Sequence, residues 1–214
     1  NEVNSKGKIV REISIENPIK GKDLHLTINL ELQNYNQSLL PISNKGSIVI
    51  INRLDGSILS MNSNPTFDAQ IFEDKDNDKI NELLNDSSKP LFNRAFSGFY
   101  PPGSVFKPIP ALLGLQKNLI NETTEVICKG HSSINDRNYY CWKKRGHGRV
   151  NLKKAIRESC DVYFYELAKK TNINDLANLA TNLGLNQKYN LGLSNAQKGL
   201  VPDKKWKRAS LDEG

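Results

Sequence analysis

An α+β fold, with helices packed on a sheet, is what the order of elements in this sequence predicts. Three observations carry it. Gly46 to Met61 reads as a hairpin, an apolar helical pattern opens at Ser104, and two further helical stretches follow at 150–169 and 174–183. Strands come early and helices late, over 214 residues of which 37% are hydrophobic and 25% charged. That length and composition suit one good core with a small appendage, and no repeat or low-complexity tract interrupts it.

Taken in order, Ile9–Ile15 alternates as a strand and leads to Asn17-Pro18 and Gly21, the end of a preceding module. Leu24–Ile28 alternates as a second strand. Asn29 can cap a helix running to about Leu40, where Pro41 helps to stop it. In the hairpin, Ser47–Ile51 is one strand, Leu54-Asp55-Gly56 the turn and Ser57–Met61 the return. Residues 62–103 are rich in loops, with a helix at Asp78–Asn85 on Ile80, Leu83 and Leu84. From Ser104, the residues Val105, Phe106, Ile109, Leu112, Leu113 and Leu115 make a strongly apolar helix.

The formal charge is +7, but its densest groups, Lys143–Arg145 and Lys204–Arg208, match no nucleic-acid module or aromatic-lined strand channel. They read as solvated basic surface, and no nucleic-acid partner is expected. No apolar run approaches the about 18–20 residues of a membrane span.

The chemistry concentrates in Tyr100-Pro101-Pro102-Gly103-Ser104-Val105-Phe106-Lys107-Pro108. Ser104 follows a Pro-Pro-Gly break at a helix start, and Lys107 lies one turn on, on the same face. A serine hydroxyl is a weak nucleophile and needs a base nearby; an amine serves if it releases its proton readily. A helix N-terminus also favours negative charge on an attacking oxygen. Pro108 removes an early helix hydrogen bond, so a distorted or 3₁₀ first turn is expected. Against this, Ser104 could simply cap a helix and Lys107 lie along the surface, since Ser-x-x-Lys alone is a common pattern.

Context decides between them. Leu26–Gln33, Gly46–Ile50 with Asp55–Leu59, Pro65–Asp68, Asn93–Ala95, Gly98–Ser104, Trp142–Gly148 and Glu158–Tyr165 together resemble the class B penicillin-binding proteins, from about residue 9 to Trp206. The resemblance implies the penicillin-recognising transpeptidase fold, a five-stranded sheet between helical layers. It places residues 1–22 at the end of a preceding pedestal or dimerisation domain, and 23–214 in the N-terminal two-thirds of the transpeptidase domain. Three motifs mark such families: Ser-x-x-Lys, Ser-x-Asn and Lys-Ser/Thr-Gly. The first is Ser104 to Lys107. The second is Ser159-Cys160-Asp161, with Asp161 where many relatives carry Asn, and Ser159 would relay a proton to the leaving amine. The third is absent; Lys170-Thr171-Asn172 lacks the glycine and lies in the wrong place. The expectation is a chain truncated before its C-terminal strands, weakly active or inactive by itself.

The implied reaction is serine D,D-transpeptidation. Ser104 would attack the D-Ala–D-Ala carbonyl of a peptidoglycan stem peptide and pass the acyl group to a neighbouring amine, and β-lactams would acylate the same serine. The implied setting is the periplasmic face of the bacterial inner membrane. The anchor would lie outside this chain, and the partner would be a membrane-embedded glycan polymerase of cell elongation. Rival readings are a β-lactam-hydrolysing or carboxypeptidase relative, a β-lactam sensor, and a non-catalytic zinc-stabilised fragment.

Cys128, Cys141 and Cys160 are the three cysteines. By themselves they read as buried thiols, or as one disulfide with a free thiol. The resemblance adds a third reading. One branch of the family holds a structural zinc with Asp, Asp, His and Cys ligands; His147 and Cys160 fall on two of those positions, and Cys128 and Cys141 on the aspartates. Three thiolates and an imidazole form a closed tetrahedral zinc set. His131 is the spare ligand, and His25 is structural.

Overall fold

The computed structural model describes residues 2–11, 19–41, 44–193 and 196–212. The chain forms two compact units, Asn1–Pro65 and Thr66–Gly214.

In the first unit, β1 (Glu2–Val3) pairs antiparallel with β2 (Ile9–Arg11). The rest of the strand predicted through Ile15 lies outside the described residues. Leu24–Ile28 does not form a strand: it joins no ladder, and Leu24 and Leu26 are exposed. Its alternation matches no buried face. What anchors the segment is the Thr27 hydroxyl, which donates to Ile58 O at 2.6 Å, and the Asn29 N–H, which donates to Leu59 O at 2.9 Å. Asn29 then caps α1 (Leu30–Leu39), its Oδ1 accepting from the Leu32 N–H at 2.9 Å.

The predicted hairpin is present as β3 (Gly46–Ile51) against β4 (Ile58–Asn64), the return strand running three residues beyond Met61. The face of β4 that meets α1 carries Ser60, Asn62 and Asn64, all buried. Asn36 Nδ2 donates to Ser60 Oγ (2.8 Å), which donates to Asn62 Oδ1 (2.7 Å). Asn62 Nδ2 donates to Gln33 O (2.9 Å) and Gln37 Oε1 (3.1 Å), and Gln37 Nε2 donates to Asn64 Oδ1 (3.1 Å). Helix and sheet are joined here by a seam of amides in which each buried group has a partner.

The second unit begins with α2 (Gln70–Glu73) and α3 (Asn77–Asn85), the latter capped by Asp76 and close to its predicted span. A 3₁₀ turn at Gly103–Phe106 precedes α4 (Pro108–Gln116), as the proline at 108 led us to expect. No strand is predicted from the sequence between residues 126 and 149, and residue 150 is predicted to open a helix. The structure has two short ribbons there: β5 (Val126–Cys128) with β8 (Gly148–Val150), and between them β6 (His131–Ile134) with β7 (Arg137–Tyr140). Their strands are three or four residues long and largely exposed, so no apolar alternation announces them. The turn signal was present: Asn135 and Asp136 both take positive φ, 48° and 60°, as a two-residue hairpin turn requires.

The single helix predicted over 150–169 is two, α5 (Leu152–Arg157) and α6 (Asp161–Ala168), broken at Glu158–Cys160. α7 (Ile173–Asn182) and α8 (Lys204–Asp212) follow. Lys170–Asn172 links α6 to α7, with Asn172 capping the latter. α6 is the axis of the core. Its Val162, Tyr163 and Leu167 are buried with Val150, Ala155, Ala111 and Ile120, and Cys128, Cys141 and Cys160 belong to the same cluster. Mixed α+β architecture is thus observed, with the sheet content of the described residues held in four two-stranded pieces. Among the described residues no helix is long and apolar enough to cross a membrane.

Candidate active site and metal-ligand cluster

Ser104 sits in the 3₁₀ turn before α4 with its side chain exposed, one turn from Lys107 on the same side. The structure brings a third group between them. Ser159 Oγ donates to Ser104 Oγ at 2.8 Å, and Lys107 Nζ donates to Ser159 Oγ at 2.9 Å. Hydroxyl protons can turn, so this chain of three atoms can pass a proton to Lys107 when its amine is neutral and away from it when it is an ammonium. Sequence reasoning paired Ser104 with Lys107 directly; the geometry joins them through the second motif's serine.

The Lys107 amine is well enclosed, its side chain 12% exposed, and lies 5.7 Å from the centre of the Phe164 ring. It also donates to Ser159 O at 2.9 Å and to Asp161 Oδ1 at 2.6 Å. The other carboxylate oxygen, Oδ2, accepts the Trp142 N–H at 3.0 Å. Burial would raise the Asp161 carboxyl, but the hydrogen bonds from Lys107 and Trp142 outweigh it and hold the group below its ordinary value of 3.8. Asp161 thereby helps to fix the amine in place beside Ser159.

The break between α5 and α6 makes this possible. Ser159 takes φ 51°, a left-handed conformation costing a non-glycine residue about 1–3 kcal/mol and found mostly at functional sites. The twist turns both the carbonyl and the hydroxyl of Ser159 toward Lys107. A continuous helix would aim them elsewhere, which is why the 150–169 reading failed at this point.

Next to that break lies the sulfur cluster. Cys128 ends β5, Cys141 follows β7, His147 precedes β8, and Cys160 caps α6. One donor atom from each lies within 4.8 Å of all the others, and all four residues are buried. His147 Nδ1 stands 3.6 Å from Cys128 Sγ and 3.5 Å from Cys141 Sγ. In a tetrahedral site with Zn–S about 2.3 Å and Zn–N about 2.0–2.1 Å, adjacent S and N donors stand about 3.6 Å apart. All three cysteines are free thiols. His147 Nε2 is buried without a hydrogen-bond partner, with the Trp142 ring edge-on at 5.3 Å between ring centres.

Two glycines let the loops close this tightly. A Cβ on Gly130 would stand 2.1 Å from Lys144 O, and one on Gly146 2.1 Å from Cys128 O; both take positive φ. Burial opposes ionisation of Cys128, yet the N–H groups of Gly130 and His147, with the neighbouring thiols, lower its pKa. Cys160 is pushed up to about 12, by burial first and then by Cys128 and Cys141, against the Tyr163 N–H. Packed thiols that cannot all ionise alone are a donor set suited to a cation. His131 stands apart from the cluster, its ring beside Tyr140.

Trp142 went unremarked as a functional residue in the sequence. Besides its backbone bond to Asp161, its Nε1 donates to Glu158 O at 3.0 Å. Adjacent to Cys141, it ties the sulfur cluster to the carboxylate that holds Lys107.

A family model for the penicillin binding protein transpeptidase domain matches residues 46–214. The chain belongs to the penicillin-binding protein transpeptidase family, and its fold is the fold of that family. Within it, the chain is 35% identical over 97% of its length to the peptidoglycan D,D-transpeptidase MrdA of Haemophilus influenzae, covering 32% of that protein. To the MrdA of Escherichia coli it is 33% identical over 97% of its length, covering 33% of that protein. It superposes on the structure of Pseudomonas aeruginosa PBP2 in complex with WCK 5153 with a TM-score of 0.82, at 35% identity over 91% of this chain and 45% of that one. Against PBP2 from Helicobacter pylori, solved in complex with MreC, the TM-score is 0.82 at 31% identity, over 99% of this chain and 40% of that one. The chain therefore spans about a third of the length of these curated relatives.

Proposed function

We propose that this chain carries the acylating machinery of a peptidoglycan D,D-transpeptidase of the penicillin-binding protein 2 kind. The observation that carries the reading is the unbroken path from Ser104 Oγ through Ser159 Oγ to Lys107 Nζ, at 2.8 and 2.9 Å, beginning at an exposed serine. Ser104 forms a bond to the penultimate D-Ala carbonyl carbon, and its proton moves along Ser159 toward Lys107. The same path returns a proton to the departing D-Ala amine as the C–N bond breaks. The Ser104 N–H, at the start of a helical turn, supplies one donor for the oxyanion. An amine of a second stem peptide then attacks the ester carbonyl: a C–N bond forms, the bond to Ser104 Oγ breaks, and the amine's proton returns to Ser104 Oγ along the same path. β-Lactams acylate Ser104 in place of the stem peptide. Asp161 positions the amine and does not touch substrate.

The cysteine and histidine cluster is read as a structural zinc site, held by Cys128, Cys141, His147 and Cys160. The ion supplies folding energy and no step of the chemistry. Cys160 adjoins both Ser159 and Asp161, and Cys141 adjoins Trp142, so the site sets the second motif's geometry. By likeness to the relatives, the intact protein works at the periplasmic face of the inner membrane, within an assembly that couples cross-linking to glycan polymerisation. Support for that setting comes from a 28% identical neighbour described as a peptidoglycan synthase complex, and from the MreC complex.

The test is labelling of the intact protein with fluorescent penicillin. A stable adduct lost in Ser104→Ala is expected, with weak or no labelling of the 214-residue chain alone, which lacks a Lys-Ser/Thr-Gly motif. Labelling that survives Ser104→Ala would overturn the assignment, and rapid turnover of the penicillin would favour a hydrolase.

A further inference from the structure

The cluster's histidine depends on a lysine that neither the motifs nor the proposed chemistry uses. Lys154 lies in α5, and its Nζ donates to His147 O at 2.8 Å and to Arg149 O at 3.0 Å. Those carbonyls flank Gly148, which takes φ 69° and faces Cys128 in the β5–β8 ladder. One ammonium therefore closes the turn that delivers the imidazole to the thiols. Lys154 is half-buried where its neighbour Lys153 is exposed, and the Asn151 side chain caps the helix against the Lys154 N–H at 3.0 Å, fixing its position.

Charge gives the second argument. Three thiolates and a neutral imidazole around a divalent cation carry one net negative charge. All four ligands are buried, and buried charge without compensation is costly. Backbone N–H groups of Gly130 and His147 reach Cys128, and that of Tyr163 reaches Cys160, but these are dipoles and carry no net charge. Lys154 places a full positive charge one hydrogen bond from the histidine's own peptide group.

We propose that Lys154 is a positioning residue and counter-charge for the metal site, setting how tightly this chain holds its ion; the inference rests on the zinc reading above. It acts through His147 and touches neither the metal nor the substrate. Outer partners of metal ligands change affinity by about 10–100-fold when removed, and that range is expected here.

The experiment compares intact wild-type protein with Lys154→Met, Lys154→Arg and Lys153→Met. Zinc affinity is measured by competition with a chromophoric chelator, and the ligand field by the thiolate-to-cobalt and d–d bands after cobalt substitution. Lys154→Met is expected to weaken zinc binding about 10–100-fold and perturb the cobalt bands. Lys154→Arg should retain most of the affinity, and Lys153→Met all of it. If Lys154→Met does not fold, Lys154→Gln, which keeps a donor without the charge, carries the same expectation of at least a tenfold loss. Affinity unchanged in the Met or Gln variant overturns the inference, as does equal loss in Met and Arg variants. Wild-type protein that binds no zinc overturns the zinc reading and this inference together. Tight wild-type binding with an unaffected Lys154→Met overturns this inference alone.

Discussion

The two compact units bury polar side chains in opposite ways. In the first, α1 and β4 meet through neutral amides and a hydroxyl, and each donor finds an acceptor. In the second, three buried thiols and the His147 Nδ1 converge on one another, and one thiol is driven up to about 12, chiefly by burial. A satisfied network specifies a structure and asks nothing further of solvent or ligand. A frustrated one makes sense with another component in place. The difference separates a polar seam that is architecture from a polar cluster that is a site.

Removing the zinc proposed for the cluster should break the contrast most. Structural zinc contributes on the order of 10 kcal/mol to small domains. Chelation of the intact protein is expected to collapse hydrogen-exchange protection across residues 126–168 while the β3–β4 amides keep theirs. Equal loss in both regions, or none in either, would remove the distinction drawn here.

Next in size is the amine proposed as the proton acceptor. Lys107→Met leaves Ser159 and Ser104 in contact but takes away the proton's destination. A positioned general base is worth about 10²–10⁴-fold in rate. Acylation by penicillin in the intact protein should fall by that factor with zinc content unchanged. A variant that acylates within tenfold of wild type would show that the proton leaves by another route.

The amide seam should respond on a smaller scale. Asn62 is buried and joins Ser60, Gln33 and Gln37. Asn62→Leu preserves bulk but leaves the Ser60 hydroxyl without its acceptor and Gln33 O and Gln37 Oε1 without the Asn62 donor, at about 1–3 kcal/mol for each group left without water or partner. Chemical denaturation followed by probes in residues 30–64 measures it, and metal affinity is expected to stay constant. A neutral effect would mean the seam is replaceable by apolar packing.

How much of this was legible in the sequence follows from the same contrast. The hairpin, α1 with its Asn29 cap, α3, the 3₁₀ entry to α4 and α7 were readable, because each is governed by residues close in sequence. Both residue sets of the candidate site were named through the family resemblance. What escaped depends on distant partners. Ser159 could be seen as left-handed only once Lys107, 52 positions away, was in place to hold its carbonyl and hydroxyl. β5 pairs with β8 across the excursion 129–147, and their alignment is set by the sulfur cluster and two tight glycines more than by apolar pattern. Leu24–Ile28 failed in the other direction: it alternates well but buries nothing.

The smallest effect tests the quieter unit. Asp55 Oδ1 accepts from the Ser57 N–H at 3.0 Å and the Ser57 hydroxyl at 2.8 Å in the turn between β3 and β4. Those bonds, the backbone one first, hold its carboxyl below the ordinary 3.8. A carboxyl lowered on folding binds its proton less readily in the native state than in the unfolded chain. Its contribution is therefore full above pH 3.8 and is lost as pH falls through the lower native value. Asp55→Ala should shorten the exchange lifetimes of the β3–β4 amides at neutral pH, with the gap from wild type closing below that point. Asp55→Asn keeps an acceptor that does not titrate, so its small difference from Asp55→Ala should persist into acid. A wild-type advantage over Asp55→Ala that stays constant down to the acid limb would mean that the turn is held by its backbone alone.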